Sequence, residues 1–348
     1  MQVPAGRVTT CGDLAGALGN RIAATWVGYF TLHHDHDAGC VCHRIVRAGG
    51  MLGPFITTIE AKAQCLADEG VVVRDSLVDL ERFGFRDFTS DRPLEQLRQV
   101  QEEIQARIVV QSDSTAGQAG SPSRAIPELI GGVDVAYPNA DEGVAAYALV
   151  ETATGQLVWS TTIRRRVTFP YISTYLSFRE IPILLCLLDE VRSAGRMAEV
   201  LLVDGSGILH HRHVGIASHF GVVASIPTIG VTKKLLCGEV NIERMTPGES
   251  LPVVHEGEPI GIALRPTAAA KGTVPFSLTR KLGQSPGSRR PIFISPGHRV
   301  DLPFCERVVR QLLTGHRLPE LLYWADHLSK AGKKTAGVGG QEENIAHI

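Results

Sequence analysis

The stretch Leu129-Ile130-Gly131-Gly132-Val133-Asp134-Val135 is an apolar, strand-like run that carries one carboxylate. Two further strand-like segments follow, Val144–Glu151 and Leu157–Val167, and the turn-forming residues Thr152–Gln156 between them predict a hairpin. Beyond the hairpin, helix-like and strand-like segments alternate: Phe178–Ser193, Val200–Val203, Val214–Phe220, Thr228–Val231, Phe293–Ser295 and Pro303–Leu313. A hairpin extended by such alternation predicts an α/β domain with a mixed sheet and flanking helices.

The length of the chain, 348 residues, predicts two domains. We expect the first over residues 1–90, where short helix-like segments and a small wing-like strand pattern surround a histidine-rich loop. The α/β domain is expected over residues 91–330, with a long surface insertion at 266–290. Residues 331–348 lack an apolar period and predict a disordered tail.

The composition is that of an ordinary globular protein, with 44% hydrophobic and 20% charged residues. A formal net charge of -1 gives no overall basic field, so contacts with nucleic acid must come from local patches. The seven cysteines are scattered, which favours reduced thiols in a soluble cytoplasmic protein. No signal peptide, membrane span or protein partner is predicted.

Three acidic residues are candidate metal ligands: Asp134, Glu180 in Phe178-Arg179-Glu180-Ile181-Pro182, and Asp204 in Leu201-Leu202-Val203-Asp204-Gly205. Carboxylates at the ends of apolar strands bring together the hard oxygen ligands that Mg²⁺ prefers. Lys233, after Thr228–Val231, and His298, after Pro296-Gly297, are basic groups of the kind that handle charge on a phosphate. Together these residues indicate phosphodiester chemistry.

Taken one at a time, these positions also have structural explanations. Glu180 stands three residues after Ser177, which is the spacing of a helix capping box. Asp204 before Gly205 is typical of a turn, and His298 and Lys233 are typical of exposed loop or strand-end positions. Asp134 is harder to explain in this way, because an unpaired carboxylate inside an apolar strand is costly.

The order of the motifs resembles endonuclease V, a family of repair nucleases that act on deaminated bases. The blocks that carry the resemblance are Gly-Val-Asp-Val-Ala-Tyr (132–137), Pro-Tyr-Ile (170–172), Leu-Ser-Phe-Arg-Glu-Ile-Pro (176–182), Val-Asp-Gly-Ser-Gly-Ile (203–208), Pro-Thr-Ile-Gly-Val-Thr-Lys (227–233) and Ser-Pro-Gly-His-Arg (295–299). The resemblance implies a ribonuclease H-like fold and Mg²⁺-dependent cleavage 3′ of a base such as hypoxanthine.

The resemblance also implies roles for individual residues. Asp134 and Asp204 would ligate Mg²⁺, with Glu180 completing the cluster directly or through water. Lys233 would stabilise charge on the phosphate, and His298 would orient or deprotonate the attacking water.

Three further positions would contact the substrate. Tyr171 matches the family's wedge, an aromatic ring that fills the gap left when a damaged base leaves the helix. Gly205 and Gly207 would let backbone amides approach the flipped base. The chain has Ser173-Thr174 where the family's wedge continues with Pro-Gly.

The amino-terminal segment resembles the winged-helix DNA-binding half of alkylguanine-DNA alkyltransferases. The resemblance is carried by Cys42-His43-Arg44-Ile45-Val46, Val3–Thr10, Gly19-Asn20 and Trp26-Val27-Gly28. It implies a relay in which His43, polarised by Glu69, generates a Cys42 thiolate that accepts an alkyl group. Thr25, however, occupies the place of the arginine that replaces a flipped base in that family.

The same segment allows a zinc site as an alternative. His33, His34, His36, Cys40, Cys42 and His43 are the residue types that bind zinc, although their spacing fits no standard pair arrangement. A structural role for a free cysteine beside a histidine is the third interpretation.

The main hypothesis is therefore a Mg²⁺-dependent endonuclease for damaged DNA with an amino-terminal module for lesion recognition or alkyl transfer. The first alternative is a suicide alkyltransferase that uses Cys42 and whose nuclease half mainly binds DNA. The second is a non-catalytic lesion-binding protein. The pattern leaves open whether DNA or inosine-containing RNA is the main substrate, because a ribonuclease H-like site accepts either.

Overall fold

The computed structural model describes residues 2–37, 39–110, 124–267 and 290–334. The chain divides into two compact units, of which the first comprises Met1–Val100 and Pro170–Tyr175. The second comprises Gln101–Phe169 and Leu176–Ile348. The predicted insertion lies almost wholly outside the described residues, as do residues 335–348 of the predicted tail.

The first unit is a small helical fold with two short strand pairs. Its helices are α1 (Cys11–Ala17), α2 (Ala24–His33), α3 (Ile59–Asp68) and α4 (Leu80–Phe83), and α5 (Pro93–Gln105) spans its end. Its strands are β1 (Thr9–Thr10), β2 (Ile45–Val46), β3 (Val73–Arg74) and β4 (Leu77–Val78). The side chains of Thr10 and Thr58 accept backbone N–H groups at the starts of α1 and α3, which defines where these helices begin.

The strands β3 and β4 form an antiparallel hairpin where the sequence predicts a wing. Asp75 and Ser76 make its two-residue turn, with φ of 49° and 61°. Two consecutive left-handed residues produce the turn whose twist matches paired strands. Beneath the hairpin lies the core of this unit, which contains Val8, Val46, Leu52, Leu66, Val71, Val78 and Phe83.

The second unit is built on one sheet of eight strands, in the order β10-β11-β12-β9-β8-β5-β6-β7. The strands are β5 (Leu129–Ala136), β6 (Glu142–Glu151), β7 (Leu157–Arg166), β8 (Leu201–Asp204), β9 (Thr228–Thr232), β10 (Ser250–His255), β11 (Glu258–Leu264) and β12 (Ile292–His298). The central strands β5, β8 and β9 are parallel, and the outer pairings are antiparallel. This is the predicted mixed sheet.

Helices cover both faces of this sheet. They are α6 (Leu176–Ser193), α7 (Ile216–Ala224), α8 (Leu302–Gln311) and α9 (Glu320–Lys334). Leu201 and Val203 pack in one core with α6 and α7, whereas Leu202 packs in the other core with α8 and α9. Successive residues of a strand point to opposite faces, so the unbroken apolar run of β8 is what a strand buried on both faces requires.

The fold class predicted from the sequence is confirmed. The elements that were not predicted are β1, β2, α4, the hairpin of β10 and β11, and α9. Helix α9 continues to Lys334, so the prediction of a disordered tail is wrong for residues 331–334. Helix α6 begins at Leu176, two residues before the predicted start, and β9 extends one residue beyond the predicted Val231.

Candidate active site

Asp134 and Asp204 lie side by side at the carboxyl ends of two neighbouring parallel strands. Val133 of β5 pairs with Val203 of β8, so the residues that follow them occupy the same level of the sheet. Asp204 pairs in turn with Val231 of β9. Because the carboxyl ends of parallel strands open at one edge of the sheet, this edge collects both carboxylates, as the sequence predicts.

Asp134 carries a partly buried carboxyl group with a raised pKa. Burial and the nearby charge of Asp204 raise its pKa to about 6. The hydroxyl of Ser329, on α9, donates to Oδ2 of Asp134 at 2.8 Å and partly offsets that rise. The negative charges near Asp134 therefore outweigh the nearby positive charge of Lys233.

Glu180 belongs to the same cluster although it comes from a helix. It is 9% exposed on α6, and burial together with the charges of Asp134 and Asp204 raises its pKa to about 8. Its neighbour Arg179 donates to the carbonyls of Phe169 and Ala140, which fixes the first turn of α6. The capping-box explanation for Glu180 is wrong, because α6 begins at Leu176 and the hydroxyl of Ser177 has no hydrogen-bond partner among the described residues.

Lys233 supplies the positive charge of the cluster. Its Nζ lies 2.9 Å from Oδ2 of Asp204 and 3.7 Å from Oδ1 of Asp326. Burial acts to lower the pKa of Lys233, but Asp204, Asp326 and Asp134 outweigh it, so the pKa is raised. Lys233 is thus protonated and held at the carboxylate edge.

Asp326 and Ser329 are site residues that the sequence analysis missed. Both lie on α9, where Asp326 contacts Lys233 and Ser329 contacts Asp134. The sequence does carry a local pattern that predicts this helix. Leu321, Leu322 and Ala325 form a buried helical stripe, and the fully buried Ser329 continues the stripe one turn later. A polar residue on such a stripe needs a polar partner, which here is Asp134.

The donor set suits a hard divalent cation. In the described part of the chain, the oxygens of Asp134, Glu180 and Asp204 do not all lie within 4.8 Å of one another. Mg²⁺ commonly keeps several waters and takes only one or two carboxylates directly. Asp134, Asp204 and Glu180 supply donors of this type, directly or through water, and a cation among them would offset the like charges that help to raise the pKa values of Asp134 and Glu180.

His298 does not join this cluster. It is the last residue of β12 and pairs with Thr228, at the start of β9, while Asp204 pairs with Val231 further along. At about 3.3 Å per residue, three residues place His298 roughly 10 Å along the strand from the level of Asp204. The ring is buried, and its Nδ1 accepts a hydrogen bond from the Val109 amide at 3.3 Å. The geometry gives no support to its predicted role with the attacking water.

Gly205 and Gly207 are explained by close packing of the backbone. A Cβ on Gly207 would collide with the carbonyl of Pro296, and one on Gly205 would meet Ile216 at 3.2 Å. The Gly205 amide donates to the carbonyl of Val231 at 3.1 Å, and the Gly207 amide donates to Oγ of Ser295 at 2.9 Å. Both predicted donors to a flipped base are therefore already used within the fold.

Tyr171 lies in the segment Pro170–Tyr175, which belongs to the first unit. It is 65% exposed, the largest exposed fraction among the exposed large hydrophobic residues of the described chain. Tyr175 anchors the segment, because its hydroxyl donates to the Leu94 carbonyl at 3.0 Å and accepts from Asn20 at 2.9 Å. An exposed aromatic ring, that of Tyr171, on a segment anchored by Tyr175 is the arrangement that a wedge between bases needs.

In the first unit, His43 and Glu69 form the predicted pair, with Nε2 of His43 2.8 Å from Oε1 of Glu69. Glu69 also accepts hydrogen bonds from Arg44 and from the Gly6 amide. Burial acts to raise the pKa of Glu69, but these bonds outweigh it and lower the pKa to about 2. Arg44 competes for the carboxylate, so Glu69 is not dedicated to His43.

Cys42 is oriented differently from the predicted relay. Its Sγ lies 3.5 Å from Nε2 of His34, while the hydrogen bond described for His43 goes to Glu69. Burial raises the pKa of the Cys42 thiol to about 12, and the neighbouring Cys40 adds to the effect. Cys42 also lines an apolar cavity of about 320 Å³, together with Trp26 and Phe30 of α2.

Carboxylates and a lysine gathered at the carboxyl edge of a mixed α/β sheet are typical of metal-dependent nucleases. The comparison with known families is specific: the model of endonuclease V matches residues 113–327, more than half of the chain. The chain belongs to the endonuclease V family. Residues 1–71 match the model of the 6-O-methylguanine DNA methyltransferase DNA-binding domain.

Curated relatives agree with both matches. Endonuclease V of Nostoc punctiforme is 32% identical over 249 residues, which cover 71% of this chain and 98% of the relative. A bifunctional methyltransferase/endonuclease of Picrophilus torridus is 28% identical over 322 residues, covering 92% of this chain and 90% of the relative. The second relative spans both units.

Solved structures show the same fold for the nuclease part. The crystal structure of human ENDOV is 30% identical, with a TM-score of 0.57, and the match covers 70% of this chain and 100% of that one. Endonuclease V of Ciona intestinalis, solved with a 24mer DNA containing an inosine followed by a ribo-adenosine, is 26% identical, with a TM-score of 0.56. That match covers 70% of this chain and 99% of the Ciona chain.

The predicted resemblances are confirmed: the chain is a DNA repair endonuclease with an amino-terminal alkyltransferase-like domain, from a family that depends on a metal ion. Among the described residues, no helix combines the length and the apolar character that crossing a membrane requires.

Proposed function

We propose that this endonuclease cuts DNA on the 3′ side of a deaminated base such as hypoxanthine, with Mg²⁺ as its metal ion. The observation that carries the proposal is the cluster of Asp134, Asp204 and Glu180, in which burial and then crowded like charges raise the carboxyl pKa values of Asp134 and Glu180. The inosine-containing DNA bound by the Ciona relative supports the choice of lesion.

Each residue of the cluster has a defined task in this proposal. Asp134 and Asp204 hold the ion, and Glu180 contributes through water. The bound ion supplies Lewis-acid stabilisation of the negative charge that develops on the phosphate. Lys233, 2.9 Å from Asp204, places a second positive charge beside the same phosphate, and Asp326 helps to orient it.

The damaged base is addressed by Tyr171 in this proposal. Its exposed ring is available to enter the base stack, where it offsets the stacking lost when the base leaves the helix. The amides of Gly205 and Gly207 are not assigned to base recognition, since both are hydrogen-bonded within the fold.

The test is nicking of an end-labelled duplex that contains one deoxyinosine, resolved on a sequencing gel with and without Mg²⁺. We expect a single cut 3′ of the inosine that requires Mg²⁺ and is lost in Asp204→Asn. Asp189→Asn is the matched control, because Asp189 is an exposed residue of α6 whose described partners are Arg192 and Ser193.

An undamaged duplex and an RNA strand with one inosine complete the set. Equal cutting of the undamaged duplex would contradict the lesion specificity, and faster cutting of the RNA would reassign the main substrate. Unaltered cutting by Asp204→Asn would refute the assigned metal site.

The apolar cavity supports a second candidate function, recognition of an alkylated base by the first unit. The cavity is lined by Trp26, Phe30 and Cys42, which offer a stacking surface and no charged group. Recognition is favoured over alkyl transfer because the Cys42 thiol faces His34 and because burial raises its pKa to about 12, which disfavours the thiolate that transfer needs.

Binding of the full-length protein to duplexes with guanine or O6-methylguanine tests this function, in an Asp204→Asn background that prevents cutting. We expect tighter binding of the methylated duplex, a difference lost in Trp26→Ala but kept in Tyr29→Ala. Tyr29 lies on the same helix and does not line the cavity. Transfer of a labelled methyl group to Cys42, absent in Cys42→Ala, would instead establish a suicide alkyltransferase.

A further inference from the structure

Four side chains of the first unit meet at one point: His34, His36, Cys40 and Cys42. Their ligand atoms all lie within 4.8 Å of one another, and no other group of three or more His, Cys, Asp or Glu in the described ranges meets this condition. Two thiols and two imidazoles are a donor set that zinc selects over the hard cations held by carboxylates.

The separations match those around a tetrahedral ion. With Zn–S near 2.3 Å and Zn–N near 2.0–2.1 Å, tetrahedral geometry places a nitrogen and a sulfur ligand about 3.6 Å apart. In the structure, Nε2 of His34 lies 3.4 Å from Sγ of Cys40 and 3.5 Å from Sγ of Cys42. An ion would therefore need little rearrangement of these three groups.

His34 is held in the orientation of a metal ligand. Its Nδ1 lies 2.8 Å from the Phe30 carbonyl oxygen. Because a carbonyl oxygen can only accept a hydrogen bond, Nδ1 is the protonated donor, and Nε2 of the neutral ring carries the lone pair. That lone pair faces the two thiols. Zinc-binding histidines characteristically donate their second ring nitrogen to a backbone carbonyl or a carboxylate, which fixes the tautomer and the ring.

His36 completes the group. Its Nδ1 lies 3.1 Å from Sγ of Cys40, and its ring centre lies 4.0 Å from that of His34. The other ring nitrogen, Nε2, is buried and has no hydrogen-bond partner among the described residues. Among the described residues, one nitrogen of this buried ring therefore has no hydrogen-bond partner, which is unusual for a buried polar atom.

The charge balance suits the surroundings. Two thiols lose their protons when they bind Zn²⁺, so the complex of two thiolates, two neutral imidazoles and the ion carries no net charge. Cys42 is 2% exposed and borders the apolar cavity, where a neutral complex is accommodated far better than a free thiolate.

Two other histidines of this segment lie outside the group. The ligand atoms of His33 and His43 do not meet the 4.8 Å condition, and His43 is engaged with Glu69. The structure thus selects four ligands from six candidates. They come from the end of α2, from the loop after it and from the turn Cys42–Arg44, which explains why their spacing does not resemble a paired zinc motif.

We propose that His34, His36, Cys40 and Cys42 form a structural zinc site that ties the loop after α2 to the turn at Cys42. This proposal does not depend on the nuclease activity, because the four ligands belong to the first unit and the carboxylate cluster to the second. Failure of one therefore leaves the other intact.

The test uses the full-length, untagged protein, purified under reducing conditions with zinc and dialysed against metal-free buffer. Zinc is measured by mass spectrometry, and replacement by Co²⁺ is followed by absorption. We expect one zinc per chain and, with Co²⁺, tetrahedral ligand-field bands together with sulfur-to-cobalt charge-transfer bands.

Matched variants locate the ion. His34→Gln and Cys40→Ser are expected to lose the zinc and the charge-transfer bands, whereas His33→Gln and Cys65→Ser are expected to keep both. A protein without stoichiometric zinc, or equal zinc in Cys40→Ser and Cys65→Ser, would overturn the proposal. Fluorescence of Trp26 in a Trp159→Phe/Trp324→Phe background verifies that the first unit of His34→Gln is folded, so that loss of zinc is not loss of that unit.

Discussion

At the scale of single residues, Lys233 shows how the site balances its charges. Its ammonium group contacts Asp204 and Asp326 and is influenced by Asp134, whereas Lys330, among the described residues, contacts Asp326 alone. In the resting site the positive charge of Lys233 is balanced by Asp204. We therefore expect Lys233 to act mainly in the transition state, when negative charge develops on the phosphate.

We predict that Lys233→Met lowers the single-turnover nicking rate about 10²–10³-fold, the usual cost of removing one preorganised group that stabilises transition-state charge. Lys234→Met is the control, because Lys234 is the adjacent, exposed lysine. Rates at saturating Mg²⁺ separate a loss in chemistry from a loss in metal affinity. Equal rates for the two variants would exclude the assigned role.

Glu69 gives a pH prediction for the first unit. Its pKa is lowered to about 2, below its ordinary value of 4.5, so its interactions stabilise the fold above pH 4.5 and are lost as the pH falls toward 2. Glu69→Gln should therefore lower the urea midpoint of this unit at pH 7 and progressively less below pH 4.5. Fluorescence of Trp26 in a Trp159→Phe/Trp324→Phe background reports this transition.

The comparison between Glu69→Gln and its parent at each pH cancels the other titrating groups. A difference that stays constant down to pH 3 would show that the carboxylate charge is not what stabilises this unit.

At the scale of elements, α9 brings Asp326 and Ser329 to the cluster from the far end of the described chain. We predict that Asp326→Asn lowers kcat/KM for nicking about 10–100-fold, as is typical when a partner that orients a metal-site group is removed. Asp189→Asn is the control. A rate equal to that of the control would make Asp326 a surface residue without a role in the reaction.

Helix α7 ends on a residue that is not suited to its backbone conformation. Ser225 caps the helix with φ 57° and ψ 40°, in the left-handed region that glycine adopts without strain. We predict that Ser225→Gly raises the free energy of unfolding by up to about 1 kcal/mol, since the left-handed conformation costs other residues roughly 1–2 kcal/mol and glycine adds chain entropy.

Ser193→Gly is the contrasting substitution, because Ser193 ends α6 within the helix and glycine there costs up to about 1 kcal/mol. Thermal unfolding of both variants measures the difference. A destabilised Ser225→Gly would show that the serine side chain contributes more than the strain costs.

The elements also show which parts of the site can be predicted from one sequence. Asp134, Asp204 and Lys233 were placed together because strand ends of a parallel pair meet at one edge, a rule that needs only the strand assignments. The same rule does not reach His298, because β12 runs antiparallel to β9 and the end of one strand lies beside the start of the other. Its role with the attacking water stays a prediction. Asp326 was missed because α9 was missed.

The zinc ligands illustrate a different limit. Their residue types were visible in the sequence, but the choice among six candidates depended on which ligand atoms the fold brings within 4.8 Å of one another, and this leaves out His33 and His43. Meetings of this kind leave no regular spacing. The fold class itself needed no such contacts, because the alternation of helices and strands carries it.

At the scale of the whole molecule, the chain passes through its first unit twice. Pro170–Tyr175 belongs to that unit although it is flanked on both sides by the nuclease sequence. Tyr175 is fully buried there, and its hydroxyl bonds Leu94 and Asn20.

We predict that Tyr175→Phe destabilises the first unit by about 1–3 kcal/mol, because buried partners lose their hydrogen bonds. Hydrogen exchange of the peptides around Asn20 and Leu94 should become faster, while peptides from β6 should be unaffected. Tyr29→Phe is the control, since Tyr29 is exposed. Unchanged exchange around Leu94 would show that the segment is not an integral part of this unit.

The double passage has a consequence for how such a protein can be inherited. A gene encoding two consecutive modules can be divided at one point, and each half remains complete. Here a single crossover that replaces residues 1–100 leaves the original Pro170–Tyr175 packed against a different sequence. Tyr175 then lacks the asparagine and the backbone carbonyl, those of Asn20 and Leu94, to which its hydroxyl is bonded. The first unit can therefore be exchanged between genes only if two separated stretches, those encoding Met1–Val100 and Pro170–Tyr175, are exchanged together.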